Sequence, residues 1–203
     1  MTETWAWISG WAIQPERFKS VVEKMLPGTR QIVFHPGPDA VDQILSSKAQ
    51  RIGGYSLGSL LLLREIDKLP ETTPLVCMAP ILGFCQEDNL GGTTPRGSLD
   101  KLRGRLATQP LAAIRLFYRL AQLQDEPTEE LPYNENDLEW GLKILAEETA
   151  VDCSNRPQVE ALIGHGDPLI KAPVIASYFE RSRVFPSLHS YRDLAQYLRP
   201  VTS

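Results

Sequence analysis

The sequence predicts an α/β protein: a mainly parallel sheet covered on both faces, with a block of helices inserted near its middle. Three observations carry this. Short apolar runs alternate with segments of helical spacing at both ends of the chain. The apolar runs show no polar face, as strands buried on both sides require. The alternation also stops over one long central stretch, where only helical patterns remain.

Residues 4–9 are an aromatic-rich run that stops at Gly10, a first strand. Over residues 15–26, Phe18, Val21, Val22, Met25 and Leu26 recur at helical spacing; Pro15 suits a first turn and Pro27-Gly28 a stop. Residues 31–34 form a second strand, cut off by Pro36-Gly37-Pro38, and Asp39 is placed to cap a short helix over 40–45. A third strand, 50–55, runs straight into Ser56-Leu57-Gly58 and an apolar helix over 59–69. The fourth strand is read over 75–82, nearly continuous in apolar character. Gly91-Gly92-Thr93-Thr94-Pro95 then opens a segment reaching about Thr149, with helices over 110–123 and 137–148 and no convincing strand. The α/β rhythm returns with a strand at 159–164, a helix at 172–179, a short strand at 183–185 and a helix at 191–198. The expected organisation is a sheet core from 1–85 and 150–203, interrupted by a helical cap at 86–149.

Composition narrows the function classes. The 203 residues carry a formal net charge of −4, which disfavours a nucleic-acid binder held by bulk positive charge. No apolar run approaches the roughly 18 residues that span a bilayer, and nothing near the start reads as a signal peptide, so a cytoplasmic setting is expected. Cys77, Cys85 and Cys153 are odd in number and lack CxxC spacing, which fits reduced thiols better than a disulfide framework or zinc cluster.

Gly54-Tyr55-Ser56-Leu57-Gly58 is a G-x-S-x-G match lying between a strand and a helix. A serine lifted above a sheet edge needs a sharp, strained turn, and side chains two residues to either side would collide. Ser56 is therefore the expected nucleophile, and the Leu57 N–H, opening the next helix, an expected oxyanion donor. Three histidines could serve as base. His189 follows the last strand and opens on the same sheet edge as Ser56. His35 is expected to pack against its own loop, and His165 to stand behind the acid. That acid is Asp167, following the strand at 159–164; Asp152 is the main rival and Asp88 a weaker one. Ser, then Asp, then His is a recognised chain order for such a triad. The second oxyanion donor is expected from Ser9-Gly10-Trp11, as the Trp11 N–H, although Trp11 also reads as simple core. Such chemistry needs no metal or redox cofactor.

These pieces together resemble the α/β-hydrolase superfamily over nearly the whole length. The resemblance implies the α/β-hydrolase fold, with the sheet truncated at its N-terminal edge and the helical cap inserted after the fourth strand. The chain also lacks the usual histidine-glycine pair at the oxyanion loop. Within the superfamily it is similar to the pimeloyl-[acyl-carrier protein] methyl ester esterases of biotin synthesis. That similarity rests on Gly10-Trp11, the serine motif, Gly164-His165-Gly166-Asp167, and the cap exit Leu138-Glu139-Trp140-Gly141-Leu142-Lys143-Ile144-Leu145. It implies Ser56, Asp167 and His189 as the triad, an acyl-carrier protein as partner and the cap as docking surface.

The cap holds an independent charge signal. Between residues 93 and 124, six basic residues, among them Arg103, Arg105, Arg115 and Arg119, face one acidic residue, Asp100. An acidic carrier bearing a phosphopantetheine phosphate would suit them. Residues 125–139 hold seven acidic and no basic residues, so the two blocks can equally pair with each other or with water. A carboxylesterase or thioesterase for small free acyl substrates is the nearest alternative, and a catalytically dead binding protein the more distant one.

Overall fold

The computed structural model describes residues 2–124, 127, 129–150, 153 and 155–199. Six strands, β1 (Thr4–Ile8), β2 (Arg30–Phe34), β3 (Arg51–Tyr55), β4 (Leu75–Met78), β5 (Val159–Gly164) and β6 (Arg181–Phe185), form one sheet in the order β2-β1-β3-β4-β5-β6. Every neighbouring pair is parallel. Parallel neighbours require crossovers, and α1 (Pro15–Met25), α2 (Ala40–Ser46) and α3 (Leu57–Arg64) supply the first ones. Between β4 and β5 stand α4 (Arg96–Leu106), α5 (Pro110–Leu120) and α6 (Glu135–Glu147); α7 (Ala172–Ala176) and α8 (Tyr191–Ala195) complete the core.

The strand order marks a switch point in the sheet. From β1 the chain steps one way to β2, then returns past β1 to β3. Crevices form at the carboxyl ends of strands where the winding direction reverses, and here that point lies between β1 and β3. The loops at that point are the two singled out in the sequence, Ser9-Gly10-Trp11 after β1 and Ser56-Leu57-Gly58 after β3.

The structure departs from the sequence reading where local chemistry intervenes. β4 ends at Met78 rather than 82, because Ala79 takes a left-handed φ of 45° and Pro80 cannot donate to a ladder. The helix after Ser56 begins at Leu57 and stops at Arg64, followed by a single 3-10 turn over Ile66–Lys68. α5 closes at Leu120, three residues early, with Gln122 at φ 51°. α7 and α8 also stop short of 179 and 198. Asp39 precedes α2 without a capping bond, whereas the Asn134 side chain accepts the Asp137 N–H and caps α6. α4 was not expected. Gly97, Gly104 and a run of charges mask its apolar stripe, yet Leu99, Leu102 and Leu106 fall on one buried face. No helix among the described residues is long and apolar enough to cross a membrane.

Candidate active site

Ser56 sits at φ 54°, ψ −116°, a strained conformation for a residue with a side chain. The neighbours hold it there. Its N–H donates to the Met78 carbonyl at 3.0 Å, and its carbonyl accepts the Leu60 N–H at 3.1 Å. The flanking glycines are steric requirements. A Cβ on Gly58 would lie 2.1 Å from the Ile8 carbonyl oxygen, and one on Gly54 2.7 Å from the Ser59 nitrogen. The elbow is thus pressed against the end of β1, and Gly58→Ala is expected to destabilise the protein by about 3 kcal/mol or more, the upper range for overpacking. Chemical denaturation of the purified variant measures this; a loss under about 1 kcal/mol would mean that the elbow shifts without strain.

The structure brings three of the predicted residues together. His189 Nε2 lies 2.9 Å from Ser56 Oγ, and His189 Nδ1 lies 2.6 Å from Asp167 Oδ2. An ionised carboxylate only accepts, so Nδ1 carries the proton, Nε2 is left as acceptor, and the Ser56 hydroxyl donates to it. The other Asp167 oxygen, Oδ1, accepts the Leu169 N–H at 2.8 Å, which fixes the carboxylate plane within its own turn. The Gly166 N–H donates to the Ser187 carbonyl at 3.0 Å, tying the acid loop to the histidine loop. All three residues are buried: His189 is 1% exposed, Ser56 3% and Asp167 7%. In such a setting water competes little for these hydrogen bonds.

Leu57 is the first residue of α3, so its N–H has no intrahelical acceptor. Trp11 has two faces to its role. Its side chain is core: the indole N–H donates to the Leu138 carbonyl of α6 at 2.8 Å and the ring meets Phe117 of α5 edge-on at 4.8 Å. Its backbone lies in the loop that follows β1. α6 approaches this corner closely, since a Cβ on Gly141 would lie 2.8 Å from Trp11 Cδ1 and 3.0 Å from Leu57 Cδ2. The inserted helices therefore cover the elbow.

The other candidates fall elsewhere. His35 Nε2 is 2.8 Å from Asp137 Oδ2 of α6, and its ring stacks on Tyr133. It holds the inserted segment rather than its own loop. His165 is exposed beside Ser187 and Asp193, with no hydrogen bond to Asp167 among the described residues. Asp88 pairs with Arg96, and Asp152 lies outside the described residues. Arg105, Arg115 and Arg119 are exposed and Arg103 is half-buried; none forms an ion pair among the described residues. Arg103 lines a surface groove with Asn136, Glu139, Trp140 and Lys143, while Arg115 and Arg119 stand on α5. All three cysteines are buried and none is in a disulfide. Burial pushes the Cys77 thiol well above its ordinary range and Cys85 up to about 11, which makes both poor nucleophiles.

No protein-family model and no curated protein sequence matches the chain. Solved structures do. An esterase (EaEST) from Exiguobacterium antarcticum superposes with a TM-score of 0.71 at 16% identity, over 93% of this chain and 85% of that one. The N-acyl homoserine lactonase AidH gives 0.64 at 13% identity, over 94% and 83%. The bottromycin epimerase BotH gives 0.62 at 10% identity, over 97% and 86%. At such identities the likeness concerns the fold, and a fold serves many chemistries. The chain has the α/β-hydrolase fold.

Proposed function

We propose that this protein is a serine ester hydrolase in which Ser56 attacks, His189 moves the proton and Asp167 holds His189 in the reactive tautomer. The hydrogen-bonded chain from Asp167 through His189 to Ser56, at a strained elbow on the switch point of the sheet, carries this reading. Attack by Ser56 Oγ on an ester carbonyl passes the hydroxyl proton to His189 Nε2. The resulting oxyanion faces the Leu57 and Trp11 N–H groups, and its collapse expels the alcohol with the proton returned from His189. Water, activated in the same way, then releases the acid from the acyl-serine. The esterase and lactonase among the structural neighbours agree with ester chemistry.

The substrate we propose is a carrier-linked ester, the methyl ester of pimeloyl-acyl-carrier protein. Two observations support it: the cap-exit and Gly164-His165-Gly166-Asp167 motifs, and cap arginines that form no ion pair among the described residues. Arg103, Arg105, Arg115 and Arg119 leave four cations available to an acidic partner. A small free acyl ester is the second reading, favoured by the depth of Ser56 beneath the inserted helices. Turnover of a methyl pimeloyl-carrier conjugate beside a short p-nitrophenyl ester separates the two. Exchanging Arg115 and Arg119 together for glutamate is expected to lower kcat/KM for the carrier substrate by roughly ten-fold or more, and to spare the p-nitrophenyl ester. The preference should shrink as salt rises. Equal losses on both substrates would make the arginines cap supports. No loss on either would leave carrier docking with the motif resemblance alone.

A further inference from the structure

Ala12 occupies the loop after β1 at a left-handed φ of 59°, and both of its backbone polar groups are held by tyrosines of the inserted segment. The Ala12 N–H donates to Tyr133 Oη at 2.8 Å, and the Tyr118 hydroxyl donates to the Ala12 carbonyl at 2.8 Å. These partners stand 121 and 106 residues away in the chain. Next to them, the Trp11 indole is fixed on Leu138 and the Ile13 N–H donates to the Gly10 carbonyl at 3.1 Å. The N–H groups of Ala12 and Ile13 are thus committed, and that of Trp11 has no acceptor among the described residues. One tyrosine hydroxyl thus occupies the Ala12 N–H, the other holds the Ala12 carbonyl, and the Gly10 carbonyl takes the Ile13 N–H.

We propose that Tyr118 and Tyr133 are positioning residues for the oxyanion loop, so that the Trp11 N–H reaches its donating position only while the cap is seated. The inference rests on the reading of Ser56 as nucleophile. A non-glycine residue at positive φ persists only where its surroundings over-determine it. At Ala12 those surroundings are the two hydroxyls. Displacing the cap removes both at once, and the loop relaxes away from the position it must hold when charge develops on the carbonyl oxygen. Docking of the cap and competence of the oxyanion site become one event, and water meets an unfinished site when the cap is open. Burial raises the Tyr133 phenol above its ordinary value, so this hydroxyl stays neutral.

Tyr118→Phe and Tyr133→Phe keep both rings and delete only the hydroxyls. With a short p-nitrophenyl ester, each is expected to lower kcat about 10- to 100-fold with KM changed less than about three-fold. Removal of a whole oxyanion donor, roughly 10²- to 10³-fold, sets the ceiling for the double variant. The midpoint of the kcat–pH profile should not move. A short alkyl trifluoromethyl ketone adds Ser56 Oγ to its carbonyl, sends the proton to His189 and forms the oxyanion; its Ki should rise with the fall in kcat. The Ki of the matching unactivated amide, which stays planar, should hold. Amide exchange over residues 9–13 should quicken in both variants. An unchanged kcat in both folded variants, or a rise in KM alone, would overturn the inference, and so would quicker exchange with full kcat. If Tyr133→Phe does not fold, Tyr118→Phe decides by the same measures. Fluorophosphonate labelling of the wild type separates the two levels: unlabelled Ser56 sinks the hydrolase reading, whereas labelled Ser56 with full kcat in the variants sinks only the role of the tyrosines.

Discussion

Ser56→Ala is expected to lower ester turnover by roughly 10⁴ to 10⁶ while leaving substrate affinity largely intact. Alanine removes the proposed attacking atom, Oγ at 2.9 Å from His189 Nε2. The backbone requirement stays the same, because alanine faces the same strained φ as serine. A fluorophosphonate should label the wild type and leave the variant unlabelled. Labelling that persists in the variant would reject Ser56, and a loss below about 100-fold would point to another nucleophile. Cys77 and Cys85 are poor candidates for that part, as burial raises their thiols.

The second large effect lies at Asp167. Asp167→Asn is expected to keep the fold and lower turnover by roughly 10⁴. The asparagine carbonyl can keep the Leu169 N–H, now accepted at 2.8 Å. Its amide would then face His189 Nδ1 as a donor. The imidazole answers by moving its proton to Nε2, where it points at Ser56 and can no longer accept. The defect is one of tautomer, so it should appear in kcat with little change in KM or thermal stability. Asp152→Asn is the comparison. A greater loss there than at Asp167 would move the acid role to Asp152.

The residues of the proposed triad are more legible in the sequence than the inserted helices beside them. Strict local rules govern the elbow: glycines at 54 and 58, a strand before and a helix after, and an acid and a histidine after later strands. Each rule leaves a mark within a few residues. The sequence reading extends β4 because Ile81 and Leu82 are as apolar as strand residues, and apolar character does not report that the chain turns out of the ladder after Ala79, whose N–H still donates to Leu162. α4 was missed because its glycines and charges outweigh three leucines in a local reading. The tyrosines were invisible for a stronger reason. Their partners are backbone atoms of Ala12, and a contact that skips more than a hundred residues and needs no matching side chain leaves no pattern along the chain. His35 was misplaced in the same way, since its partner Asp137 belongs to a segment 102 residues further on.

The distances along the chain between the triad residues have a consequence for how the site comes into being. Ser56 and His189 are 133 residues apart, and between them come α3 through α7, three strands and the whole inserted segment. Closing so wide a loop is entropically costly and tends to come late in folding. No fragment that ends before β6 contains His189, and none that begins after Ser56 contains the proposed nucleophile. Helical signal can recover while Ser56 still lacks its base. In a refolding experiment, reactivity of Ser56 toward a fluorophosphonate would therefore mark the arrival of β6 at the far edge of the sheet, the completion of the fold rather than its onset.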